Sequence, residues 1–291
     1  MMKSTFMITA LVIIIVAAAV VIIILNSSAL YAQPISYVNN FRKLLSDGSF
    51  TAIYNSSYVE FTMSGPGNQI IQCNDILQFG AGSVNNSRAF IDTIRTMCEG
   101  LFPGTPGINM QEIAYWTNGS SLCGGAAYVV VDGHESGSIN CLPLETLNAL
   151  PAYLPFNELL GNVTFSTAVQ GYSINYSITS YINYVNTTKW HDQQVHCFRV
   201  ISNITRVQSM TSGFRLRTST NLSELICLLP SGLPAIRVIN ETMLVTPLPS
   251  GNTILYIIQG KTELVNYTLN YFNTTEFNEI VSMARSRGGN G

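Results

Sequence analysis

An uninterrupted apolar stretch near the N-terminus constrains this chain more than any other feature of its sequence. It runs from Phe6 to Leu25, contains no charged residue and has Thr9 as its only polar residue. A helix of about 20 residues extends about 30 Å, which is the thickness of the hydrocarbon core of a bilayer. The sequence therefore predicts one transmembrane helix over residues 6–25.

The charges on either side of this stretch predict its orientation. Lys3 and the free amino group lie before it, and no charged residue follows it until Arg42. By the positive-inside rule, residues 1–5 are cytoplasmic and the rest of the chain is outside the cell. The predicted order is a signal-anchor helix (6–25), a stalk (26–36), an extracytoplasmic domain (37–285) and a flexible tail (286–291).

Two other interpretations of the N-terminus remain open. Small residues at 27–32 could be cut by a signal peptidase, although the apolar stretch is longer than the 7 to 15 residues typical of a cleaved signal peptide. Lys3-Ser4, directly before the apolar stretch, resembles the processing site of archaeal class III signal peptides, which pilins and some anchored binding proteins carry. That resemblance implies a pilin-like filament subunit as an alternative function.

The composition excludes several classes of protein. Only 10% of the residues are charged, 10% are aromatic, and the formal net charge is −2. Disordered chains combine high net charge with few aromatic residues, so the body of this chain is expected to fold. Without a basic cluster there is no electrostatic footprint for a phosphate backbone, and nucleic acid is excluded as a partner.

An even number of cysteines fits an oxidising compartment, where structural disulfides are the rule. None of them forms a Cys-x-x-Cys pair, so neither a redox centre nor a zinc knuckle is indicated. Six cysteines allow 15 pairings, among which the spacing favours sequence neighbours. The favoured pairs are Cys73 with Cys98, Cys123 with Cys141, and Cys197 with Cys227.

Asparagine glycosylation motifs are dense along the chain and all follow the apolar stretch. Asn26 lies too near the predicted bilayer to be a good acceptor. The remaining motifs predict N-linked glycans as covalent partners of an extracytoplasmic domain. Their asparagines are Asn55, Asn85, Asn118, Asn162, Asn175, Asn186, Asn203, Asn221, Asn240, Asn266 and Asn273.

The patterns of apolar residues predict an α+β fold that is mostly β, with an antiparallel and curved meander sheet and a few helices. Helices are expected over residues 37–45 and 88–101, and over 273–285, where Asn273 and Glu276 have the spacing of a capping box. A hairpin is expected from strands 49–54 and 58–63. Residues 142–160 contain Pro143, Pro151 and Pro155, so they can hold only short helical turns and allow a subdivision of the domain.

Strands are predicted over most of the second half of the chain. In the clearest, residues 172–178, Tyr172, Ile174, Tyr176 and Ile178 share one face, and the glycosylation motif at Asn175 lies on the other. Other strands are expected at 128–131, 162–169, 194–201, 213–218, 222–229, 235–239, 253–259 and 261–271. The short spacing between them indicates antiparallel pairing.

No pattern of residues identifies a catalytic or cofactor site. His191, Asp192 and His196 are the best candidates for metal ligands, since two imidazoles and a carboxylate could converge on a divalent ion. Their spacing argues against this, because residues five apart on a strand point to opposite faces. With no nucleophile elbow and no phosphate loop either, an anchored secreted hydrolase is only a third alternative.

Two resemblances suggest where such a chain belongs. The segment Val195–Val200 and the later segment Glu224–Pro234 resemble strands of lipoprotein-carrier-like half-barrels, which implies an apolar ligand such as a lipid moiety. The anchor, the dense glycosylation motifs, the low charge and the cystines together resemble surface proteins of Sulfolobus-type thermoacidophilic archaea. An envelope protein of a virus that infects such cells would be similar.

The sequence therefore predicts a membrane-anchored, non-enzymatic glycoprotein of the cell envelope. Its expected partners are the lipid bilayer, N-linked glycans, and either an apolar ligand or another surface protein. It requires no cofactor.

Overall fold

The computed structural model describes residues 35–64, 67–99, 107–118, 121–129, 135–143, 155–169, 172–210, 213–248 and 251–288. The predicted transmembrane helix over 6–25, the glycosylation motif at Asn26 and the stalk up to residue 34 lie outside these ranges. Neither helix that the structure does describe, 35–46 or Thr274–Gly288, has the length and apolar character that crossing a bilayer requires.

The described residues form one antiparallel sheet of 12 strands, which confirms the mostly β prediction. The strands are β1 (Phe50–Ser64), β2 (Gly67–Val84), β3 (Ser87–Glu99), β4 (Gly107–Asn118), β5 (Ser121–Val129), β6 (Glu135–Pro143), β7 (Val163–Val169), β8 (Tyr172–Trp190), β9 (Gln193–Met210), β10 (Arg215–Leu228), β11 (Pro234–Leu248) and β12 (Ile254–Leu269). Two α-helices, α1 (35–46) and α2 (Thr274–Gly288), and a 3-10 helix (Asn157–Leu160) accompany the sheet.

The sheet consists of two meanders joined at its centre. Its strand order is β6-β5-β4-β3-β2-β1-β12-β11-β10-β9-β8-β7. The chain proceeds outward from β1 to one edge at β6, passes to the other edge at β7, and returns to the centre at β12. The pairing of β1 with β12, from Phe50 opposite Leu269 to Met63 opposite Leu255, closes the sheet between the two halves. Residues 144–162 connect the two edge strands and include most of the segment 142–160, where a subdivision was allowed.

Helix α1 packs on one face of the sheet, which we call the inner face. Its apolar side chains Val38, Phe41 and Leu45 are fully buried in a cluster with Phe50 of β1 and Phe198 of β9. Strand positions alternate between the two faces, so the register shows to which face each of the remaining strand side chains points. The main core thus lies between α1 and the ends of the central strands.

Helix α2 packs on the opposite, outer face. Phe277 and Ile280 are buried against Ala89 and Ile91 of β3, and the helix also contacts β4, β5 and β6. The predicted N-cap at Asn273 is confirmed, but Glu276 accepts its hydrogen bond from the Asn273 side chain and not, as in a capping box, from the Asn273 backbone amide. The Asn273 Oδ1 accepts a hydrogen bond from the Glu276 backbone amide at 3.2 Å, and the Asn273 Nδ2 donates to the Glu276 carboxylate at 3.0 Å. The helix continues to Gly288, three residues into the predicted tail.

The turn between β10 and β11 supports the middle of α1. Gly232 has φ of 93°, and a Cβ there would lie 2.2 Å from the backbone nitrogen of Phe41. Only glycine allows both the left-handed conformation and this close approach. The Asn40 side chain also donates a hydrogen bond to the Pro230 carbonyl oxygen at 2.9 Å.

Arg88 caps the C-terminal end of α1. Its guanidinium donates hydrogen bonds to the carbonyl oxygens of Leu44, Leu45, Gly48 and Gly82, at 2.6 to 3.1 Å. The last carbonyl groups of a helix have no partner within the helix, and a cation there also interacts favourably with the helix dipole. Arg88 therefore fixes α1 on β2 and β3.

The substitution Arg88→Met is expected to lower the free energy of unfolding by about 2–3 kcal/mol, because half-buried carbonyl oxygens lose a charged donor. Urea unfolding at pH 7 measures the change. Arg95→Met, on the exposed outer face of the same strand, is the control and should change stability by less than about 0.5 kcal/mol. Equal losses for the two variants would contradict the capping role.

The predicted helix over 88–101 is wrong, because residues 87–99 form strand β3. Phe90 is buried in the inner core and Ile91 in the outer core, since α1 and α2 cover opposite faces here. A strand that is buried on both sides does not alternate between apolar and polar residues. Its apolar residues matched the helical spacing without forming a helix.

Several predicted strands were too short, because turns were predicted inside strands that are continuous. Residues 49–63 do not form a hairpin, since β1 is continuous through Asn55-Ser56-Ser57 and pairs on both sides. The predicted strands 213–218 and 222–229 are one strand, β10, and 253–259 and 261–271 are one strand, β12. Hydroxyl side chains form hydrogen bonds with one another across these strands, as Ser56 and Thr262 do at 2.9 Å. Polar residues therefore continue a strand where a turn was predicted.

The three predicted disulfides are confirmed: Cys73–Cys98, Cys123–Cys141 and Cys197–Cys227. Each joins directly opposite residues of neighbouring strands, in the pairs β2–β3, β5–β6 and β9–β10. Antiparallel neighbours connected by one turn bring residues of short sequence separation together, which is why the spacing predicted the pairing.

Candidate functional site

Seven glycosylation motifs that lie within strands place their asparagine on the outer face. For example, Asn55 follows the inner-face residue Tyr54, and Asn175 lies between the buried residues Ile174 and Tyr176. Every one of these asparagines is exposed. They are Asn55 of β1, Asn175 and Asn186 of β8, Asn203 of β9, Asn221 of β10, Asn240 of β11 and Asn266 of β12.

The outer face is therefore divided into two areas. Helix α2 covers the part formed by β3 to β6. The motif-bearing strands β1 and β8 to β12 form the other part, and we call their outer surface the sequon face. A glycosyltransferase needs an exposed acceptor asparagine, and the attached glycan needs space. The sequon face is therefore the surface of the described domain best suited to carry glycans.

The remaining asparagines differ more in their surroundings. Asn85 is exposed in the β2–β3 turn, with φ of 51°. Asn162 is exposed just before β7, and its Oδ1 accepts a hydrogen bond from the Ser180 amide at 3.1 Å. Asn273 is half-buried and its Nδ2, the atom to which a glycan would attach, already donates to Glu276. Asn118 is the last residue of β4, and its side chain lies outside the described residues.

The inner face holds a buried ionic triad where the 3-10 helix meets the second half of the sheet. Arg237 of β11 donates hydrogen bonds to Glu224 of β10 and, at 3.0 Å, to Glu158 of the 3-10 helix. Its guanidinium lies over the ring of Phe156, 5.5 Å from the centroid. The Glu224 side chain is fully buried and that of Glu158 is 7% exposed.

One arginine cannot neutralise two buried carboxylates. Burial and the nearby Glu158 carboxylate raise the pKa of Glu224, against the opposing effect of Arg237, to about 8. Burial lowers the pKa of Arg237, but the Glu158 and Glu224 carboxylates outweigh it, so that pKa is raised. The triad is neutral when it holds one additional proton, and it therefore binds that proton in the pH range where free glutamate is ionised.

A second buried carboxyl group lies on the inner face of β3. Asp92 is 7% exposed and is paired with Phe79 and Ile113 on the adjacent strands. Its Oδ1 has no hydrogen-bond partner within the described residues. Burial raises its pKa from 3.8 to about 7. An unpaired carboxyl group in apolar surroundings is most stable in its protonated form.

Toward the ends of the central strands farthest from α1, the inner face carries apolar side chains that the main core does not include. Tyr58, Met243, Tyr256 and Ile258 lie there and are half-buried. The register places them on adjacent strands, with Ile258 opposite Glu60 and Tyr256 opposite Met243. We call this set the uncovered inner face.

The structure does not bring the predicted metal ligands together. His191 and Asp192 form the exposed two-residue turn between β8 and β9. His196 lies on the inner face, its ring 4.2 Å from that of Tyr37 of α1, with Nδ1 3.2 Å from the Thr187 hydroxyl. Burial lowers its pKa. Within the described ranges no group of three or more His, Cys, Asp or Glu residues is placed to hold a metal ion.

Two clefts open on the outer side of the sheet. The first, about 590 Å³, lies between α2 and the β2–β3 turn and includes Asn85, Trp116, Asn278 and Arg285 in its lining. The second, about 350 Å³, lies over the central strands and includes Asn55, Ile76, Met97 and Lys261. Each of them contains the asparagine of a glycosylation motif.

Comparison with known proteins identifies no family. No family model matches the sequence, and no curated protein matches it. Among solved structures, the beta domain of the Bordetella autotransporter BrkA aligns with 73% of this chain and 98% of its own at 8% identity, with a TM-score of 0.28. Pseudomonas aeruginosa OccK2 (OpdF) aligns with 76% of this chain and 98% of its own at 6% identity, with a TM-score of 0.27.

An outer membrane lipoprotein-sorting protein domain from Vibrio parahaemolyticus aligns with 80% of this chain and 92% of its own at 10% identity, with a TM-score of 0.19. TM-scores this low support no conclusion about shared fold or function. The resemblance to lipoprotein carriers stays a prediction.

Proposed function

We propose that this chain is a non-enzymatic glycoprotein of a cell envelope, anchored by residues 6–25 and displaying its sheet outside the cell. The observation that carries the proposal is the sequon face, because it places seven acceptor asparagines on one exposed surface that a glycosyltransferase can reach. The three disulfides support it, since they persist in oxidising compartments. An archaeal cell surface, as the resemblance of the sequence implies, is the proposed setting.

Site-resolved glycopeptide mass spectrometry of the native, membrane-extracted protein tests this function. We expect glycans on most asparagines of the sequon face. We also expect that the mature protein still contains residues 6–25, with its N-terminus in the cytoplasm. The variant Asn175→Gln should lose the mass of one glycan. Its matched control is Asn183→Gln, an exposed asparagine on the same face of the same strand but outside any motif, which should lose none.

Bare asparagines throughout the sequon face would refute the glycoprotein function. An N-terminus processed near Ser4 would instead favour the pilin-like subunit, and one cut near residues 27–32 would favour a released protein. N-terminal sequencing of the same sample distinguishes these outcomes.

We further propose that the uncovered inner face binds an apolar ligand. Half-buried aromatic and aliphatic side chains on adjacent strands, next to the Glu60 carboxyl group, have the mixed character of ligand sites. Ile258→Glu should weaken binding of the apolar fluorescent probe anilinonaphthalene sulfonate by about tenfold or more, because a charge would be placed in the apolar surface.

Ile257→Glu is the matched control for this binding test. It introduces the same charge at the neighbouring position, which points to the outer face, and should leave probe binding unchanged. Equal effects of the two variants would rule out the inner face as the ligand site.

A further inference from the structure

The cleft between α2 and the β2–β3 turn combines features that suit a carbohydrate. Its volume of about 590 Å³ is within the range of about 300–1,000 Å³ found for small-molecule sites. The half-buried indole of Trp116 and the apolar side chains of Val84 and Val281 line one part of it. Sugar rings bind to proteins through such a combination of an aromatic surface and dispersed polar groups.

The polar groups come mainly from one stripe of α2. Asn278, Ser282 and Arg285 follow one another at helical spacings of four and three residues, and all three line the cleft. An amide, a hydroxyl and a guanidinium together offer both donors and acceptors to sugar hydroxyl groups. They are exposed, so a ligand can reach them without a rearrangement of the helix.

A carbohydrate is expected to be attached within reach of this cleft. Asn85 lines it and is the acceptor of the motif Asn85-Asn86-Ser87. Asn85 and Asn86 have φ of 51° and 64°, which defines a tight turn that holds the acceptor next to the opening. The first sugar of a glycan on Asn85 would therefore start at the cleft, and binding it would need little loss of translational freedom.

We infer that the cleft binds the glycan of Asn85, an inference that rests on the proposed glycosylation. The first sugars pack on Trp116 and hydrogen-bond with the polar stripe of α2, and so hold α2 on the sheet. This glycan acts as a structural part of the domain, whereas the glycans of the sequon face extend into solvent.

Hydrogen exchange of the α2 amides in the native, glycosylated protein tests the inference. Ser87→Ala removes the motif, and the α2 amides should then exchange at least about fivefold faster, because local opening is no longer opposed by the glycan. Ser177→Ala removes the motif at Asn175, away from α2, and should leave these amides unchanged. Ser87→Thr keeps the motif at Asn85 and should also leave them unchanged.

A second pair of samples excludes an effect of the serine hydroxyl itself. In protein made in a host without N-glycosylation, wild type and Ser87→Ala should show the same fast exchange of α2. Unchanged exchange in glycosylated Ser87→Ala would overturn the inference. So would a bare Asn85 in a protein whose sequon face is occupied, whereas bare asparagines at every motif would overturn the proposed function as well.

Discussion

Replacing Arg237 with methionine is expected to lower the free energy of unfolding at pH 7 by about 3–5 kcal/mol, the usual effect of removing one partner from a buried ion pair. Methionine fills much of the space of the arginine stem but leaves Glu158 and Glu224 without a cation. The buried negative charge of this pair then has no counterion. Urea unfolding of the full chain in detergent measures the difference from wild type.

The same experiment at higher pH separates charge from packing. Arg237 favours the ionised form of Glu224, whose pKa is about 8 with the arginine present, so the loss should be larger at pH 9 than at pH 7. Arg217→Met, on the exposed outer face of β10, is the control and should change stability by less than about 0.5 kcal/mol. A loss that is independent of pH would show that arginine contributes packing rather than charge.

The stability of the wild-type protein is expected to decrease as the pH rises from about 4 to about 7. Asp92 holds its proton more tightly when folded, with a pKa of about 7 against 3.8 in the unfolded chain. The protonated folded state is favoured fully below the unfolded pKa, and this advantage is lost as the pH rises through the folded pKa. Each pH unit in this window corresponds to about 1.4 kcal/mol, so the total effect is up to about 4 kcal/mol.

Asp92→Asn tests the source of this dependence. Asparagine has the shape of a protonated aspartic acid, so the variant should be more stable than wild type by about 2–4 kcal/mol at pH 8 and nearly equal to it at pH 4. Asp192→Asn, in the exposed β8–β9 turn, is the control and should show the wild-type profile. A variant as sensitive to pH as wild type would contradict the assignment to Asp92.

Other carboxyl groups shift in the same direction. Burial raises the pKa values of Asp75, Glu224, Glu241 and Glu276 as well. The folded domain is therefore expected to be more stable at acid than at neutral pH.

Local patterns predicted the parts of the fold that depend on local interactions. The helices at 35–46 and 274–288 were found because each has one apolar face and, for α2, the residue spacing of a capping box. The cystines were found because hairpin neighbours are also sequence neighbours. By contrast, β3 was mistaken for a helix because coverage by α1 on one side and α2 on the other removes the alternation that marks a strand. No pattern in the local sequence shows that helices cover both faces of a strand.

The ionic triad was beyond sequence reasoning, since Glu158 and Arg237 are 79 residues apart and meet only when the 3-10 helix docks on β11. The sequon face could have been predicted. At Asn175 the alternation already separated the apolar residues from the glycosylation motif, and the same comparison applied to Asn203, Asn221 and Asn240 would have shown the shared face. It was missed because the long strands were read as short ones with turns at their polar residues.

The meeting of β1 with β12 has a consequence for biogenesis. Each hairpin can form soon after its own residues are made, but β1 lacks a neighbour on one side until the last strand has emerged. Joining strands that are so far apart along the chain is slow, because a long loop must close first. Until then both halves expose a bare hydrogen-bonding edge, which can pair with other chains. We therefore expect that newly made molecules are most vulnerable to aggregation late in their synthesis. A chain truncated before β12 would keep these exposed strand edges and would aggregate.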